Sequence, residues 1–105
     1  MAKPSFSRPV NCKRFNYLEV DLIARNGHRT RYCLIGRERN QNGAIYKVGV
    51  PHTDEGATIY AGKSGDAIIE VYQGRYVDRI DGSWRRVGDE FYFQFSGAKV
   101  YIPVF

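Results

Sequence analysis

Arginine and aromatic residues are interleaved in two parts of the sequence, and this combination suits contact with a polyanion. Guanidinium groups can pair with phosphates while aromatic faces stack under bases, as in small β-barrels that bind single strands. The alternative is that the rings fill an aromatic core and the guanidinium groups stack on them for stability. The candidate binding residues are Arg25, Arg29, Arg31, Tyr32, Arg37, Arg39, Arg79, Trp84, Arg85 and Arg86.

Positive charge is concentrated in the first third of the chain. Residues 1–39 carry nine Lys or Arg and three Asp or Glu, whereas residues 40–105 carry seven bases and eight acids. The net charge of +5 therefore originates in the first segment. Charge segregated in this way produces a directional field, for which a polyanion is the commonest partner. We expect a basic face formed by the first hairpin and a flexible N-terminal arm over residues 1–14.

The two cysteines and two histidines are candidates for metal or nucleophilic chemistry. Cys12, Cys33, His28 and His52 lack the short paired spacings that are typical of zinc sites. His28 adjoins a predicted turn, and no oxyanion-hole motif accompanies a cysteine nucleophile. We expect free thiols in a reducing cytoplasm, with Cys33 buried in a strand and Cys12 accessible on the arm. A Cys12–Cys33 disulfide is the alternative, and it requires an oxidising environment.

The segment ATIYAGKS, residues 57–64, fits a relaxed phosphate-loop pattern. That mechanism requires a loop of backbone amides between a buried strand and a long helix. Ile59 and Tyr60 would occupy the interior of this loop, and any helix that follows is short. We therefore interpret the segment as a strand that enters a Gly-Lys-Ser-Gly turn.

The acidic residues give no sign of an acid/base pair. Asp54, Glu55, Asp66 and Glu70 are predicted to lie in loops or on the surface, with nothing to bring two of them together. The sequence therefore predicts a protein that is not an enzyme and that uses neither a cofactor nor a metal.

The composition predicts an all-β fold. Aromatic residues make up 14% of the 105 residues and leucine is scarce, a bias that favours strands. We expect a small antiparallel barrel or compact sandwich of six to eight short strands built from consecutive hairpins, with or without one short helix. The β domain is expected to span residues 15–105. No stretch resembles a secretory signal or a membrane span, so no membrane association is expected.

The first predicted hairpin turns at Asn26-Gly27, because both residues tolerate positive φ. A two-residue loop would place Val20 opposite Cys33, with both on the apolar face. Arg29 and Arg31 would then extend beyond the end of that face.

A second Asn-Gly pair, Asn42-Gly43, predicts the next turn. It would place Glu38 opposite Lys47, a favourable charge pair across the ladder. In one alternative the second strand is long and runs through Arg37–Gln41. In the other, Arg37–Gln41 bulges out as a basic loop.

Residues 64–74 are ambiguous between strand and helix. Ser64 or Asp66 could cap a short helix that ends at Gly74, but Ile68 and Val71 favour a strand.

The C-terminal third is predicted to be a meander with turns at Asp81-Gly82, Gly88-Asp89 and Ser96-Gly97. The first turn would place Asp78 opposite Arg85, and the second would place Trp84 opposite Phe93. The last would align Phe93 with Val100 on an apolar face and Tyr92 with Tyr101 on the other face, so that both faces agree on one register.

These features favour non-catalytic binding as the function. The first hypothesis is a cytoplasmic protein that engages nucleic acid or a nucleoprotein complex through its basic face. The alternative is a small inhibitor or regulator, of the kind that viruses and mobile elements encode, which binds an acidic or nucleic-acid-binding host protein. A third option is a homodimer that pairs through an edge strand.

Overall fold

Antiparallel strands account for most of the computed structural model, which describes residues 12–15, 18–24, 27, 29–50, 53 and 55–103. A 3-10 helix over Cys12–Phe15 precedes the strands. The strands are β1 (Leu18–Ala24), β2 (Arg29–Asn40), β3 (Gly43–Gly49), β4 (Glu55–Gly62), β5 (Asp66–Gln73), β6 (Tyr76–Val87), β7 (Glu90–Phe95) and β8 (Ala98–Pro103). In this described part of the chain, no helix is long and apolar enough to cross a membrane.

The strands form a meander that closes into a barrel. Each strand pairs with the next, and β1 pairs with β8 through four residue pairs. The predicted all-β class is confirmed, with the barrel as its architecture. Inward side chains from all strands meet in one core, in which Val20, Ile59, Ile69, Phe93 and Val100 are fully buried. Because closure joins β1 to β8, little free edge is left in the described sheet for an edge-paired homodimer.

The register between β1 and β2 differs from the prediction by one residue. Val20 lies opposite Tyr32 rather than Cys33. Ile23 and Arg29 are the pair nearest the turn, with an odd number of residues between them, whereas a two-residue loop requires an even number. A slip of one residue exchanges the two faces of a strand. Tyr32 therefore lies in the core and Cys33 on the outer face of the sheet.

The β2–β3 turn uses Gln41 and Asn42, one residue earlier than predicted. The Asn42 N–H donates a hydrogen bond to Asn40 Oδ1 (2.8 Å), which stabilises the turn at this position. The predicted pairing of Glu38 with Lys47 is consequently wrong. Of the two alternatives for the residues before this turn, the long strand is the one observed.

A β-bulge divides β2 into two segments. The register with β3 shifts between Leu34 and Gly36, and Ile35 is left out of the ladder with 45% of its surface exposed. Before the bulge Tyr32 and Leu34 face the core, and after it Arg37 lies on the same face as buried Tyr46. With its two segments counted separately, the barrel has nine strands, above the predicted six to eight.

The ambiguous segment is a strand. Residues 66–73 form β5, which pairs along its length with both β4 and β6. Two complete ladders of hydrogen bonds outweigh the capping signals that favoured a short helix. The prediction that residues 57–64 form a strand entering a turn, rather than a phosphate loop, is confirmed. Residues 57–62 lie in β4, and Lys63–Gly65 form the turn that follows.

The predicted turn at Asp81-Gly82 is wrong. β6 runs without interruption through these residues, and the β5–β6 turn lies at Gly74 and Arg75 instead. Gly82 allows close packing of β6 against β7 and does not form a turn, because a Cβ atom at this position would collide with the backbone oxygen of Gln94 in β7. Asp78 therefore pairs with β5 and does not face Arg85.

The last two hairpins match the prediction. Trp84 lies opposite Phe93 across the turn at Gly88-Asp89. Phe93 lies opposite Val100, and Tyr92 lies opposite Tyr101. Phe93 and Val100 are fully buried, which confirms the apolar face.

The prediction of free thiols is wrong, because Cys12 and Cys33 form a disulfide. Both cysteines are fully buried, so Cys12 is not accessible on an arm. The shifted β1–β2 register explains the bond, because it turns Cys33 outward, where Cys12 of the 3-10 helix covers it. A disulfide is typical of an oxidising environment, and this argues against the reasoning that favoured a cytoplasmic location. Residues 1–11 of the predicted arm lie outside the described residues.

Candidate functional site

Three turns lie at the same end of the barrel, which we call the mouth. They follow β2, β4 and β6, and alternate connections of an up-and-down meander must share one end. A pocket of about 390 Å³ opens at the mouth. Its wall includes the aromatic residues Tyr46, Trp84 and Phe91 and the basic residues Arg39 and Lys63. We call it the mouth pocket.

The bulge in β2 determines which arginines reach the mouth. Arg37 lies opposite Tyr46, and Arg39 lies opposite Ala44, so both are on the inner face of the sheet in the part of β2 nearest the mouth. Both side chains are exposed. Without the bulge, the alternation of β2 would place them on the outer face together with Arg31.

The aromatic wall is held in place by packing and by one hydrogen bond. The Trp84 ring contacts Phe91 edge-on at a centroid distance of 5.7 Å, and Tyr46 lies 6.1 Å from Phe91. The indole Nε1–H donates a hydrogen bond to the backbone oxygen of Gly62 (2.7 Å). These contacts fix the indole, so the wall is formed before any ligand arrives.

Small residues create the space in front of this wall. Gly43 lies opposite Gly62, and Ala44 lies opposite Ala61, at the mouth end of β3 and β4. A Cβ atom on Gly43 would collide with the backbone oxygen of Ala61, so this close approach requires glycine. Larger side chains at these positions would fill the pocket.

Arg39 and Lys63 line the pocket, and Arg37 and Arg86 lie opposite its lining residues Tyr46 and Phe91. We call these four residues the basic rim. Lys63 lies in the turn after β4. Arg86 lies opposite Phe91, and its Nε donates a hydrogen bond to the Gly88 oxygen (3.2 Å). All four side chains are exposed, so their field acts on solvent in front of the pocket.

The field of the rim also reaches the pocket wall. Burial raises the pKa of Tyr46 above its ordinary value, and Arg39 and Arg37 partly offset this rise. The phenol therefore stays neutral at physiological pH and contributes a hydroxyl rather than a phenolate. Positive charge is thus paired with an uncharged aromatic surface.

Two other concavities have less of this combination. A cavity of about 460 Å³ near the opposite end is lined by Phe95 and Tyr101 but by only one basic residue among those described, Lys99, where the mouth pocket has two. A smaller depression on the outer face, about 190 Å³, contains the carboxylate of Asp66 and, among its described lining residues, no Lys or Arg. The mouth pocket is therefore the better candidate for an anionic ligand.

Several predicted binding residues lie on the outer wall, away from the mouth pocket. Arg31 forms an exposed ion pair with Glu19 (3.7 Å), and Arg79 lies opposite Glu70. The Arg85 guanidinium lies 5.5 Å above the ring of Tyr92, in the stabilising arrangement that the sequence left as an alternative.

The remaining predicted residues divide between the core and the part of the chain that is not described. Tyr32 is only 4% exposed and offers no ring face to a ligand. Arg25 and the side chain of Arg29 lie outside the described residues. Of the predicted set, Arg37, Arg39, Trp84 and Arg86 are therefore the ones that the barrel brings together at the mouth.

The sequence did not identify Tyr46, Lys63 or Phe91 as site residues. Each lies within three residues of a turn that the sequence predicts, at Asn42-Gly43, Gly62–Gly65 or Gly88-Asp89. The missing information was that these three turns share one end of a closed barrel. With that topology, turn-adjacent aromatic and basic residues could have been grouped.

The described residues contain no group of three or more His, Cys, Asp or Glu that could hold a metal ion. His28 and His52 lie outside the described residues.

Comparison of the chain with protein-family models, with curated proteins and with solved structures finds no match.

Proposed function

We propose that the protein is a non-catalytic binding protein that engages nucleic acid through the mouth of its barrel. One observation carries the proposal: Arg39 and Lys63 stand at the opening of a pocket lined by the half-buried rings of Trp84 and Phe91, with the buried Tyr46 ring packed against Phe91. Cations beside a fixed aromatic surface match the two components of a nucleic acid strand, the phosphates and the bases.

The proposal moves the basic face from the first hairpin to the mouth. Arg31 is already close to a carboxylate, whereas Arg39 and Lys63 line an open concavity. Phosphate contacts by the rim give affinity and position without discriminating between bases. Binding should therefore be strongly salt-dependent and weakly dependent on sequence.

Fluorescence anisotropy with labelled 20-nucleotide DNA and RNA, single- and double-stranded, tests the proposal. The variant R39Q/K63Q should weaken binding to every sequence and reduce the slope of log Kd against log salt by roughly 0.7–0.9 for each phosphate that the variant no longer neutralises. The control R75Q/K99Q removes the same charge from exposed positions toward the opposite end of the barrel. It should leave most of the affinity and the slope intact.

A second pair of variants compares the two basic faces directly. R37Q/R39Q changes the mouth, and R29Q/R31Q changes the first hairpin. If R29Q/R31Q causes the larger loss of affinity, the interface lies on the first hairpin and not at the mouth. If the wild-type protein binds no nucleic acid at about 50 mM salt, the proposal is wrong and the inhibitor hypothesis, with an acidic protein as the partner, replaces it.

A further inference from the structure

The hydrogen-bonding groups at the mouth pocket are unequally divided between donors and acceptors. Arg39 and Lys63 can only donate, and no carboxylate is among the described residues that line the pocket. Asn40 also lines it, but its Oδ1 already accepts the hydrogen bond from Asn42, which leaves its NH₂ group to donate. The side chains therefore suit a ligand that is rich in acceptors and negatively charged.

The shape of the pocket restricts the ligand further. A volume of about 390 Å³ is near the lower end of the range for small-molecule sites. Its wall is made of aromatic rings, and small residues leave the space in front of them open. A single planar aromatic group fits this description, whereas a base pair within a duplex could not enter.

We infer that the mouth pocket binds one unpaired nucleobase, with the adjacent phosphate at Arg39 and Lys63. This inference rests on the proposed function and specifies its ligand, a nucleotide whose base is not paired. Such a base can belong to a single strand or to a free mononucleotide. The phosphate is held by exposed cations and the base by an apolar wall. The contributions of the phosphate and of the base to the binding affinity can therefore be measured separately.

The first test measures the contribution of the base. Affinity for ten-nucleotide oligothymidylate is compared with affinity for a ten-unit abasic strand that carries the same phosphates. Wild-type protein should prefer the strand with bases by roughly 5- to 150-fold, the range expected for stacking one base on an aromatic side chain. In A44M the new side chain fills the pocket, and the preference should fall toward one.

The control is A98M, which changes another half-buried alanine, in the cavity near the opposite end of the barrel. It should keep the wild-type preference. Thermal unfolding of both variants establishes that the fold is intact. If A44M does not fold, W84F, which shrinks the aromatic wall, replaces it and should reduce the preference in the same direction.

The second test uses the fluorescence of Trp84, which is the one tryptophan in the sequence. Adenosine 5′-monophosphate and oligothymidylate should each quench it in wild-type and A98M protein but not in A44M. Half-saturation at a lower concentration of mononucleotide than of oligonucleotide would assign the site to free nucleotides. The reverse order would assign it to a base within a strand.

The outcomes separate the inference from the proposed function. Equal affinity for the two strands, without quenching, overturns the base pocket and leaves nucleic-acid binding by the rim intact. If neither strand binds, the proposed function fails. In that case, quenching by the mononucleotide in wild-type protein but not in A44M would still support the pocket. If the mononucleotide does not quench the fluorescence either, the pocket is overturned as well.

Discussion

Trp84 and Phe93 lie directly opposite each other in the β6–β7 ladder, and their rings stack at a centroid distance of 6.3 Å. Phe93 is fully buried, whereas Trp84 is half-buried and lines the mouth pocket. The core and the candidate site therefore share an aromatic layer. The packing that stabilises the barrel also positions the wall of the pocket, so stability and binding should be coupled through these rings.

Phe93 should be the more important of two adjacent aromatic residues for stability. It is fully buried between Trp84 and Val100, and Phe93→Ala should lower the free energy of unfolding by about 3–5 kcal/mol. Tyr92→Ala removes a half-buried cross-strand contact with Tyr101 and should cost about 1 kcal/mol or less. Urea unfolding measures both. A larger loss for Tyr92→Ala would mean that the faces of β7 are assigned the wrong way round.

Gly82→Ala should destabilise the barrel although its backbone is extended. The new Cβ atom would collide with the backbone oxygen of Gln94, so β6 and β7 would have to separate, at a cost of about 1–3 kcal/mol. Gly36→Ala is the matched control, because its Cβ atom would lie 3.8 Å from the Lys47 side chain in ordinary contact. It should change the free energy of unfolding by less than about 1 kcal/mol. Equal effects in thermal unfolding would contradict the close approach at Gly82.

The disulfide should stabilise the protein measurably. It joins residues 21 positions apart, and closing a loop of this size should contribute about 3 kcal/mol to the free energy of unfolding. The variant C12S/C33S, and wild-type protein in a reducing agent, should both show this loss in urea unfolding. Native protein should resist alkylation and should be lighter than its reduced form by two hydrogen atoms. Rapid alkylation of both cysteines without a reductant would show that the bond is absent.

Stability should fall at alkaline pH because of Tyr32. Burial, with smaller contributions from Glu55 and Tyr72, raises the pKa of Tyr32 from its ordinary value of 10.0 to about 12. The folded protein thus favours the neutral phenol. The contribution of the neutral Tyr32 to the free energy of unfolding is complete below pH 10 and is lost as the pH rises toward 12. The loss should total about 2–3 kcal/mol.

Tyr32→Phe provides the control for the alkaline effect. The slope of unfolding free energy against pH between 10 and 12 should be shallower in this variant than in the wild type, whatever its stability at about pH 7. Seven other tyrosines remain, so a slope that does not change would assign the effect to them and contradict the assignment to Tyr32.

Local patterns in the sequence were sufficient to predict how two strands pair where the turn and the apolar alternation agreed on one register. In the last hairpin, the Ser96-Gly97 turn and the alternation of apolar residues both require Phe93 opposite Val100, and the barrel has this pairing. At Asn26-Gly27 the apolar side chains of β1 were compatible with either neighbouring register of β2. The sequence predicts Cys33 as a core residue because its type alone does not distinguish a buried thiol from a half-cystine covered by a helix.

The sequence by itself determined the all-β class, the register of the last two hairpins and the excess of positive charge, because each depends on composition or on contacts close in sequence. Only the tertiary structure decided that β6 continues through Gly82, since the reason is the backbone of β7. It also decided that the bulge at Ile35 turns Arg37 and Arg39 inward and that Cys12 meets Cys33. The mouth pocket needs residues from β2, β3, β4, β6 and β7 to be adjacent, and that proximity arises only when the sheet curls and closes into a barrel.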